Sequence, residues 1–328
     1  MEQNDYIGLD QFVWFYGVVE DRNDPLNLGR VRVRVYGWYS EARGKVPTQS
    51  LPWAQVIQSP TSAAMGDVGH TPMGLVEGSW VIGFFLDGTR TQRPVIMGSI
   101  AGIPRELGSS KDFARKGFTD SVEASGTPKS RQSEGDSTKY PYRIDEPDVN
   151  RLARNDINYA HPVPEEKDST AQSNVPVANS SDTWNELSGL YAAEYPYNHV
   201  METESGHIRE YDDTPDQERI HEYHKAGTFY EIDKQGSKVT RVVANNYTII
   251  AGDDYVRVEG NVNLYVNSNC NTYIKGNWNV QVDGNKNEVI KGTLTQTVTG
   301  NVTETYSGNQ TTAVTGNVDI DGARIDLN

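Results

Sequence analysis

The C-terminal part of the chain alternates apolar and polar side chains and repeats every eight residues. Glycine marks this repeat at eight positions: Gly252, Gly260, Gly276, Gly284, Gly292, Gly300, Gly308 and Gly316. Ser268 occupies the one remaining position of the series, and an apolar or aromatic side chain stands two residues before every member, from Ile250 to Val314. A fixed long period is typical of a repeat architecture. We call residues 248–328 the octads.

Within the octads, the even-numbered positions are mostly apolar and the odd-numbered positions mostly polar. This alternation predicts strands with one buried face. Asparagine usually follows the glycine, and this pair predicts a bend, because glycine tolerates sharp bends and asparagine tolerates left-handed backbone. Single-chain solenoids advance in steps of six or nine residues, and neither step occurs here. The pattern therefore predicts identical chains wound around one axis with their even faces inward, most simply an intertwined homotrimer, since three faces close a prism.

The even face changes character toward the C-terminal end. Its larger polar side chains there include Lys286, Glu288, Gln296, Glu304 and Gln310. Inward polar groups cost several kcal/mol unless they are paired or hydrated. We therefore expect a dry proximal core and a distal lumen that holds water or ions, with no organic cofactor.

The N-terminal part contains apolar runs separated by turn signals. There are five runs: Phe12–Val19, Val31–Trp38, Trp53–Ile57, Trp80–Leu86 and Val95–Ile100. Five short strands of this kind predict a small barrel of the oligonucleotide-binding (OB) type. Arg30, Arg32 and Arg34 alternate with valines and have two interpretations, a basic nucleic-acid face or a solvated or protein-contacting strand face. A net charge of −15 favours the second, because nucleic-acid binding needs positive charge.

Composition narrows the class of protein further. Hydrophobic residues make up 36% of the chain and the mean hydropathy is −0.65, which fits much exposed strand and loop. No apolar run approaches the ~18 residues of a membrane-spanning helix, and the first residues lack the features of a signal peptide. The single cysteine, Cys270, excludes an internal disulfide and suits folding in a reducing cytoplasm. Its even position predicts a small buried hydrophobe.

Two blocks of sequence resemble the central spike, or baseplate hub subunit, of T-even-like contractile phages, the tail-associated lysozyme family. The motifs are Gly17–Pro25, Gly29–Val35, Leu51–Ala54, Thr61–Met65 and Val76–Gly78 in the first block, and Glu194–Tyr197, Met201–Ile208, Asp212–Pro215 and Asp321–Asp326 in the second. Type VI secretion spikes share a more distant version. The resemblance implies an N-terminal domain that docks on a trimeric hub protein. It also implies a three-chain β-prism that perforates the host envelope, a small tip-capping protein of the PAAR type, and a place in the virion tail baseplate after synthesis in the host cytoplasm.

We predict a mainly β chain of four parts: an OB-type barrel over 1–118, an extended linker over 119–190, a β neck over 191–247 and a β-helical needle over 248–328. Relatives that carry a lysozyme domain hold it where this linker lies, and some seventy polar residues are too few for such a domain. The linker carboxylates Glu165, Glu166 and Asp168 lie too close together to form the opposed pair of a glycosidase. We therefore expect no enzyme. The alternatives are a cell-wall hydrolase or polysaccharide depolymerase on a β-helix, and a type VI secretion spike.

The neck contains groups that resemble metal ligands. Its histidines are His199, His207, His221 and His224, and its acidic residues include Glu202, Glu204, Glu210, Asp212 and Asp213. Predicted neck strands run over Gly206–Tyr211, Arg219–His224 and Thr228–Asp233. Two histidines three residues apart on one strand point to opposite faces. We therefore favour structural or exposed histidines over a metal site, and a solvated neck surface over a calcium site for the acidic residues.

Overall fold

The structure is a computed structural model that describes residues 12–101, 149–155, 171–187, 191–203 and 205–325. Several residues discussed above lie outside these ranges: Glu165, Glu166, Asp168 and Glu204. The described residues fall into two units. One holds those within Met1–Val175 and Trp184–Gly260, and the other holds those within Pro176–Thr183 and Asn261–Asn328. Among the described residues, the helices are too short to cross a membrane.

The first five strands close into a barrel, as predicted. They are β1 (Val13–Asp21), β2 (Val31–Val35), β3 (Trp53–Val56), β4 (Trp80–Phe85) and β5 (Pro94–Ile100). Their order around the barrel is β1-β2-β3-β5-β4, and every pair is antiparallel except the parallel pair β3–β5. Two short 3-10 turns, Thr48–Ser50 and Gly88–Arg90, lie between strands. The OB-type barrel is confirmed.

The barrel interior is filled by branched and aromatic side chains. The buried cluster consists of Phe15, Val19, Val31, Val33, Val35, Ala54, Val81, Phe85 and Ile96. Gly83 lies on β4, where this strand pairs with β5. A Cβ added there would sit 2.1 Å from the carbonyl oxygen of Val95. Glycine is therefore required at this position for the two strands to pair at their present distance.

The neck is a five-stranded antiparallel sheet. After a short ribbon formed by β6 (Val175–Pro176) and β7 (Thr183–Trp184), its strands are β8 (Asn198–Glu202), β9 (Ile208–Asp212), β10 (Arg219–Tyr223), β11 (Phe229–Ile232) and β12 (Lys238–Arg241). Each strand pairs with its neighbour in sequence, in the order β12-β11-β10-β9-β8. Three strands lie within one or two residues of the predicted neck strands. The edge strands β8 and β12 were not predicted. We call this sheet the neck sheet.

One residue of the predicted linker belongs to the neck core. Leu152 is buried and packs with Ile208, and its carbonyl oxygen accepts a 2.6 Å hydrogen bond from the Tyr191 hydroxyl. The linker interpretation is wrong at this point, because a single leucine in a polar run gives no periodic signal.

The octads form an extended backbone that bends once per repeat. The bends fall on each repeat glycine and the residue before it, and the same bend occurs at Ser268. Over residues 244–325, all described, the chain makes no strand pairing with itself, and its side chains are exposed. The predicted pairing between chains, and with it the burial of Cys270, remains a prediction, since Cys270 is exposed in the single chain.

Candidate functional site

The three arginines of the β2 region are held inside the barrel domain by carboxylates. Arg34 is fully buried, and its Nη2 donates to Glu20 Oε2 at 2.9 Å while its Nη1 donates to the Ser40 carbonyl oxygen at 2.6 Å. Glu20 also accepts a 2.7 Å hydrogen bond from the Thr48 hydroxyl. The pair therefore fastens the β2–β3 loop over the outer side of β2. A buried charge stays ionised only when paired in this way.

Arg30 and Arg32 are likewise engaged. Arg30 binds Asp24 with a closest nitrogen–oxygen distance of 2.7 Å, and Arg32 stacks on Trp53 with its Cζ 4.5 Å from the ring centroid. The solvated-face interpretation is wrong for Arg34, which is fully buried. Arg30 and Arg32 are partly exposed, and both are engaged by neighbouring side chains. The interpretation as a protein-contacting face stays a prediction.

Asp24 organises the turn that joins β1 to β2. Its carboxylate accepts hydrogen bonds from the backbone N–H groups of Leu26 and Leu28, both at 3.0 Å, and from the Arg30 side chain. The Arg30 hydrogen bonds, followed by the backbone N–H groups and opposed by burial, hold the pKa of Asp24 well below its usual range. The turn is therefore rigid, although both leucines point outward and are exposed.

The neck sheet buries a network of charges on one face. Glu210, His221 and Glu231 face one another in register across β9, β10 and β11. Glu210 accepts from Arg219 at 3.0 Å and lies 2.8 Å from His221 Nδ1, and Arg219 donates to Glu231 at 3.1 Å. All four side chains are at most 6% exposed. The solvated-surface interpretation is wrong for Glu210.

A further buried carboxylate on β9, that of Asp212, lies two residues after Glu210 on the same face of the strand. Asp212 Oδ1 accepts hydrogen bonds from the backbone N–H of Thr214 at 3.1 Å and from its hydroxyl at 2.6 Å. Asp212 is 3% exposed, so the prediction of a solvated surface is wrong for it as well. The Asp213 side chain is 73% exposed, as that prediction requires. A one-residue slip of β9 or β10 would turn these charges outward and leave their partners unpaired, so the network fixes the register of the sheet.

The side chains of His221 and His224 differ in burial, as their spacing of three residues predicts. His221 is buried in the charge network, and His224 is exposed at the end of β10, where its ring lies 4.5 Å from the ring of His207. His207 Nδ1 and His224 Nδ1 each accept a backbone N–H, at 3.4 Å and 3.1 Å. Among the described residues, no three histidine, cysteine or acidic side chains are arranged to hold a metal ion.

The octad glycines have no visible reason to be glycine within one chain. None of the eight has a left-handed φ, and the asparagines that follow them also avoid that region. A Cβ added at any of the eight would meet no atom within 4 Å. The left-handed corner expected from Gly-Asn is therefore wrong. The contacts within one chain do not explain why glycine recurs at this spacing.

The polar residues of the distal even face remain exposed and do not form one site. Lys286 and Glu288 form a 2.9 Å ion pair, and Tyr306 donates a 2.9 Å hydrogen bond to Glu304, which raises the pKa of Tyr306. Gln296 and Gln310 are exposed. Their inward orientation stays a prediction.

The described residues form a mainly β protein with a closed OB-type barrel, an antiparallel neck that buries a charge network, and an eight-residue repeat that bends regularly. Residues 39–196 match the family described as the Gp5 N-terminal OB domain. The chain is 38% identical to Protein Gp5 of Vibrio phage KVP40 over 276 residues, which cover 75% of this chain and 61% of that protein. It is 48% identical to the pre-baseplate central spike protein Gp5 of Enterobacteria phage T4 over 112 residues, which cover 33% of this chain and 19% of that protein.

The resemblance to the central spike of T-even-like phages is therefore confirmed, and the predicted virion location in the tail baseplate agrees with these names. The chain spans about 61% of the length of the KVP40 relative and a smaller part of the T4 relative.

Proposed function

We propose that the chain is the structural cell-puncturing spike at the centre of a contractile phage tail baseplate. It docks through its N-terminal barrel on a trimeric hub protein, and its octads perforate the host envelope when the sheath contracts. A small tip-capping protein of the PAAR type closes its C-terminal end. The name of the T4 relative, a pre-baseplate central spike protein, supports a structural role in the baseplate. The hub, the tip protein and the perforation step come from the family resemblance.

The main support for the proposal is that the octad glycines have no neighbouring atom in their own chain that would exclude a larger side chain. The glycines occupy even positions, on the same face as the apolar side chains. In a homotrimer wound around one axis, the three inward faces approach one another, and an inward Cβ would meet the neighbouring chains. This arrangement explains why a small residue recurs at each bend although a single chain has room for a larger one.

The exposed apolar side chains support the same assembly. Val258, Val266 and Ile274 stand two residues before the bends and are 52%, 43% and 43% exposed. Their unpaired backbone also lacks the hydrogen bonds that extended strands normally make. Winding three chains together pairs this backbone, buries the apolar row and leaves no free strand edge.

The distal lumen follows from the same geometry. Lys286 and Glu288 already form an ion pair within one chain, so three copies bring three such pairs to one level of the axis. Gln296, Glu304 and Gln310 add further polar groups beyond it. We propose that water or ions occupy this distal part, where inward charges need hydration or pairing.

We propose no enzymatic activity for this chain. The name of the T4 relative is that of a spike protein of the pre-baseplate. A cell-wall hydrolase or depolymerase is the alternative in another class, and a zymogram with peptidoglycan or capsule embedded in the gel tests it: clearing by the purified full chain favours that alternative. A type VI secretion spike remains the alternative in biological setting, and neighbouring tail-sheath genes or secretion genes separate the two.

Native mass by light scattering, paired with an unboiled denaturing gel, tests the assembly. We expect a detergent-resistant species near three times 36.5 kDa that falls to one chain after boiling. A monomer in the unheated sample would contradict the homotrimer and would indicate that the octads coil within one chain.

A further inference from the structure

The outer side of the barrel carries an apolar surface where a solvated barrel would carry polar residues. Six side chains on β1, β4, β5 and the end of β2 form it: Trp14, Tyr16, Tyr36, Trp80, Ile82 and Ile100. Tyr16 lies directly opposite Ile82, and Trp80 directly opposite Ile100, in the strand register. We call this surface the aromatic face. Residues 13–19 of β1 and all of β4 contain no charged side chain, a pattern typical of strands buried on both sides, and the aromatic face accounts for it.

The aromatic face is ordered although it is half-exposed. The Tyr16 and Tyr36 rings stack with centroids 5.3 Å apart and planes within 10°, and the Trp80 ring lies 6.2 Å from Tyr16. Trp14, Tyr16 and Tyr36 remain 50%, 49% and 47% exposed. Aromatic side chains bury ~150–250 Å² each, so covering the face would remove on the order of 500 Å² from water. That is as large as the largest apolar patch on a typical monomer, and such patches mark interaction sites.

The chemistry of the aromatic face favours a protein occupant. None of its six residues is charged, and the whole chain has a net charge of −15. Aromatic platforms that stack nucleic-acid bases are accompanied by positive charge along the backbone path. The nearest arginine strand is already paired with carboxylates. An uncharged protein surface is therefore the matching partner.

A second apolar surface projects from the turn that follows β1. Leu26, Leu28 and Met73 are 63%, 59% and 69% exposed, and the hydrogen bonds to Asp24 hold the turn that bears both leucines. We call these three residues the leucine turn. Tyr16 lies five residues before the end of β1 at Asp21, about 17 Å at the usual rise, and the leucine turn begins beyond that end, so the two surfaces are distinct. A rigid protrusion loses little entropy on docking and suits binding to a flat face.

We propose that the two surfaces bind each other between copies of the chain, so that the leucine turn of one barrel docks on the aromatic face of the next. This inference rests on the proposed homotrimer. Two different complementary surfaces on each copy make a head-to-tail contact, which forms a closed ring when the rotation is threefold. Tethering by the octads raises the local concentration of barrels toward the mM range, so a modest apolar contact suffices.

Cysteine cross-linking in the full chain tests the proposal. Both Tyr16→Cys and Leu28→Cys are introduced together in a Cys270→Ser background, and the purified protein is treated with a short bis-maleimide. We expect covalent dimers and trimers on a boiled denaturing gel from the double variant and none from either single variant. The control combines Tyr16→Cys with Lys45→Cys, which places the second thiol on the exposed β2–β3 loop, and we expect no cross-link from it.

The outcomes separate this inference from the proposed function. Light scattering on the unreacted variants first establishes whether they are trimeric. A trimer whose double variant gives no cross-link overturns the ring and leaves the aromatic face for another baseplate protein. Cross-linking of the Tyr16→Cys single variant also overturns it, because the face would then meet itself. A monomer would instead contradict the proposed homotrimer.

Discussion

Replacing Gly276 by alanine separates a single-chain needle from a three-chain needle. In the single chain, the φ of Gly276 is not left-handed and no atom lies within 4 Å of the position of an added Cβ. Alanine would then be tolerated and would restrict the unfolded chain. Such substitutions stabilise by about 0.4–1 kcal/mol per chain where the native backbone accepts them.

In the homotrimer, the same substitution places three methyl groups at one level of the axis. Each methyl forced into a packed interior costs roughly 1–3 kcal/mol. Alanine also restricts the unfolded chain, which gives a smaller gain in stability. After subtracting this gain, we expect the trimer to lose ~2–6 kcal/mol of stability. Gly276→Ala should therefore stabilise a single-chain needle and destabilise a three-chain needle.

The assay is the temperature at which the full-length trimer dissociates, followed on unboiled denaturing gels and by light scattering at one protein concentration. A fixed concentration is needed because the stability of an oligomer depends on it. Asn279→Ala is the matched control, since it changes an odd position close by in the repeat without touching the even face. We expect Gly276→Ala alone to lower the dissociation temperature. An unchanged or raised temperature would refute inward crowding at the bends.

Three further predictions concern single groups. The thiol of Cys270 should react slowly with an aromatic disulfide reagent in the native trimer and at once in denaturant; rapid reaction in the native state would contradict an inward Cys270. Because the folded pKa of Asp24 lies below the ordinary value of about 3.9, its contact with Arg30 stabilises the fold fully above that value, and this stabilisation declines progressively as the pH falls from about 4 toward the lowered folded pKa. Urea unfolding should therefore show the stability difference between wild type and Asp24→Asn shrinking from pH 5 to pH 2, and a constant difference would argue against the ionised contact. Arg34→Leu should lower the free energy of unfolding, by at most the ~3–5 kcal/mol of a fully broken buried pair, because Glu20 loses its Arg34 partner and is left with the Thr48 hydroxyl at 2.7 Å and Arg43 at 3.4 Å. The double variant with Glu20→Leu should restore part of the loss; an equal or larger loss in the double variant would show that packing, not the ion pair, is what the site supplies.

The barrel was predictable because each strand buries one side within the same chain. All five apolar runs became strands, and Val31, Val33 and Val35 face the interior as the alternation requires. The arginines between them were not predictable. Alternation places Arg34 on the outer side of β2, but the β2–β3 loop then covers it and joins it to Glu20. Periodicity assigns a side chain to one face of a strand and carries no information about a loop that folds over that face.

The neck was harder to predict because both faces of its strands are polar. In β9, the buried Glu210 and Asp212 alternate with the exposed Arg209 and Tyr211, so the sequence shows no difference between inside and outside. The burial depends on partners from β10 and β11 that a linear pattern does not show, above all Arg219. A buried charge network leaves no hydrophobic signal, and the acidic run therefore resembled a solvated surface.

The octads show the limit of the pattern most directly. Val33 and Val258 both lie in a valine–polar–valine alternation, yet Val33 is 1% exposed and Val258 is 52% exposed in the single chain. The alternation is equally strong in both because it records that a face is buried, not which chain buries it. Where one chain satisfies its own pattern, as in the barrel, the fold is complete. Where it does not, as on the even face of the octads and on the aromatic face of the barrel, the exposed apolar pattern is what leads us to propose other chains. In the proposed homotrimer, the bend glycines, which have no atom within 4 Å of an added Cβ in one chain, are where we expect the chains to approach most closely.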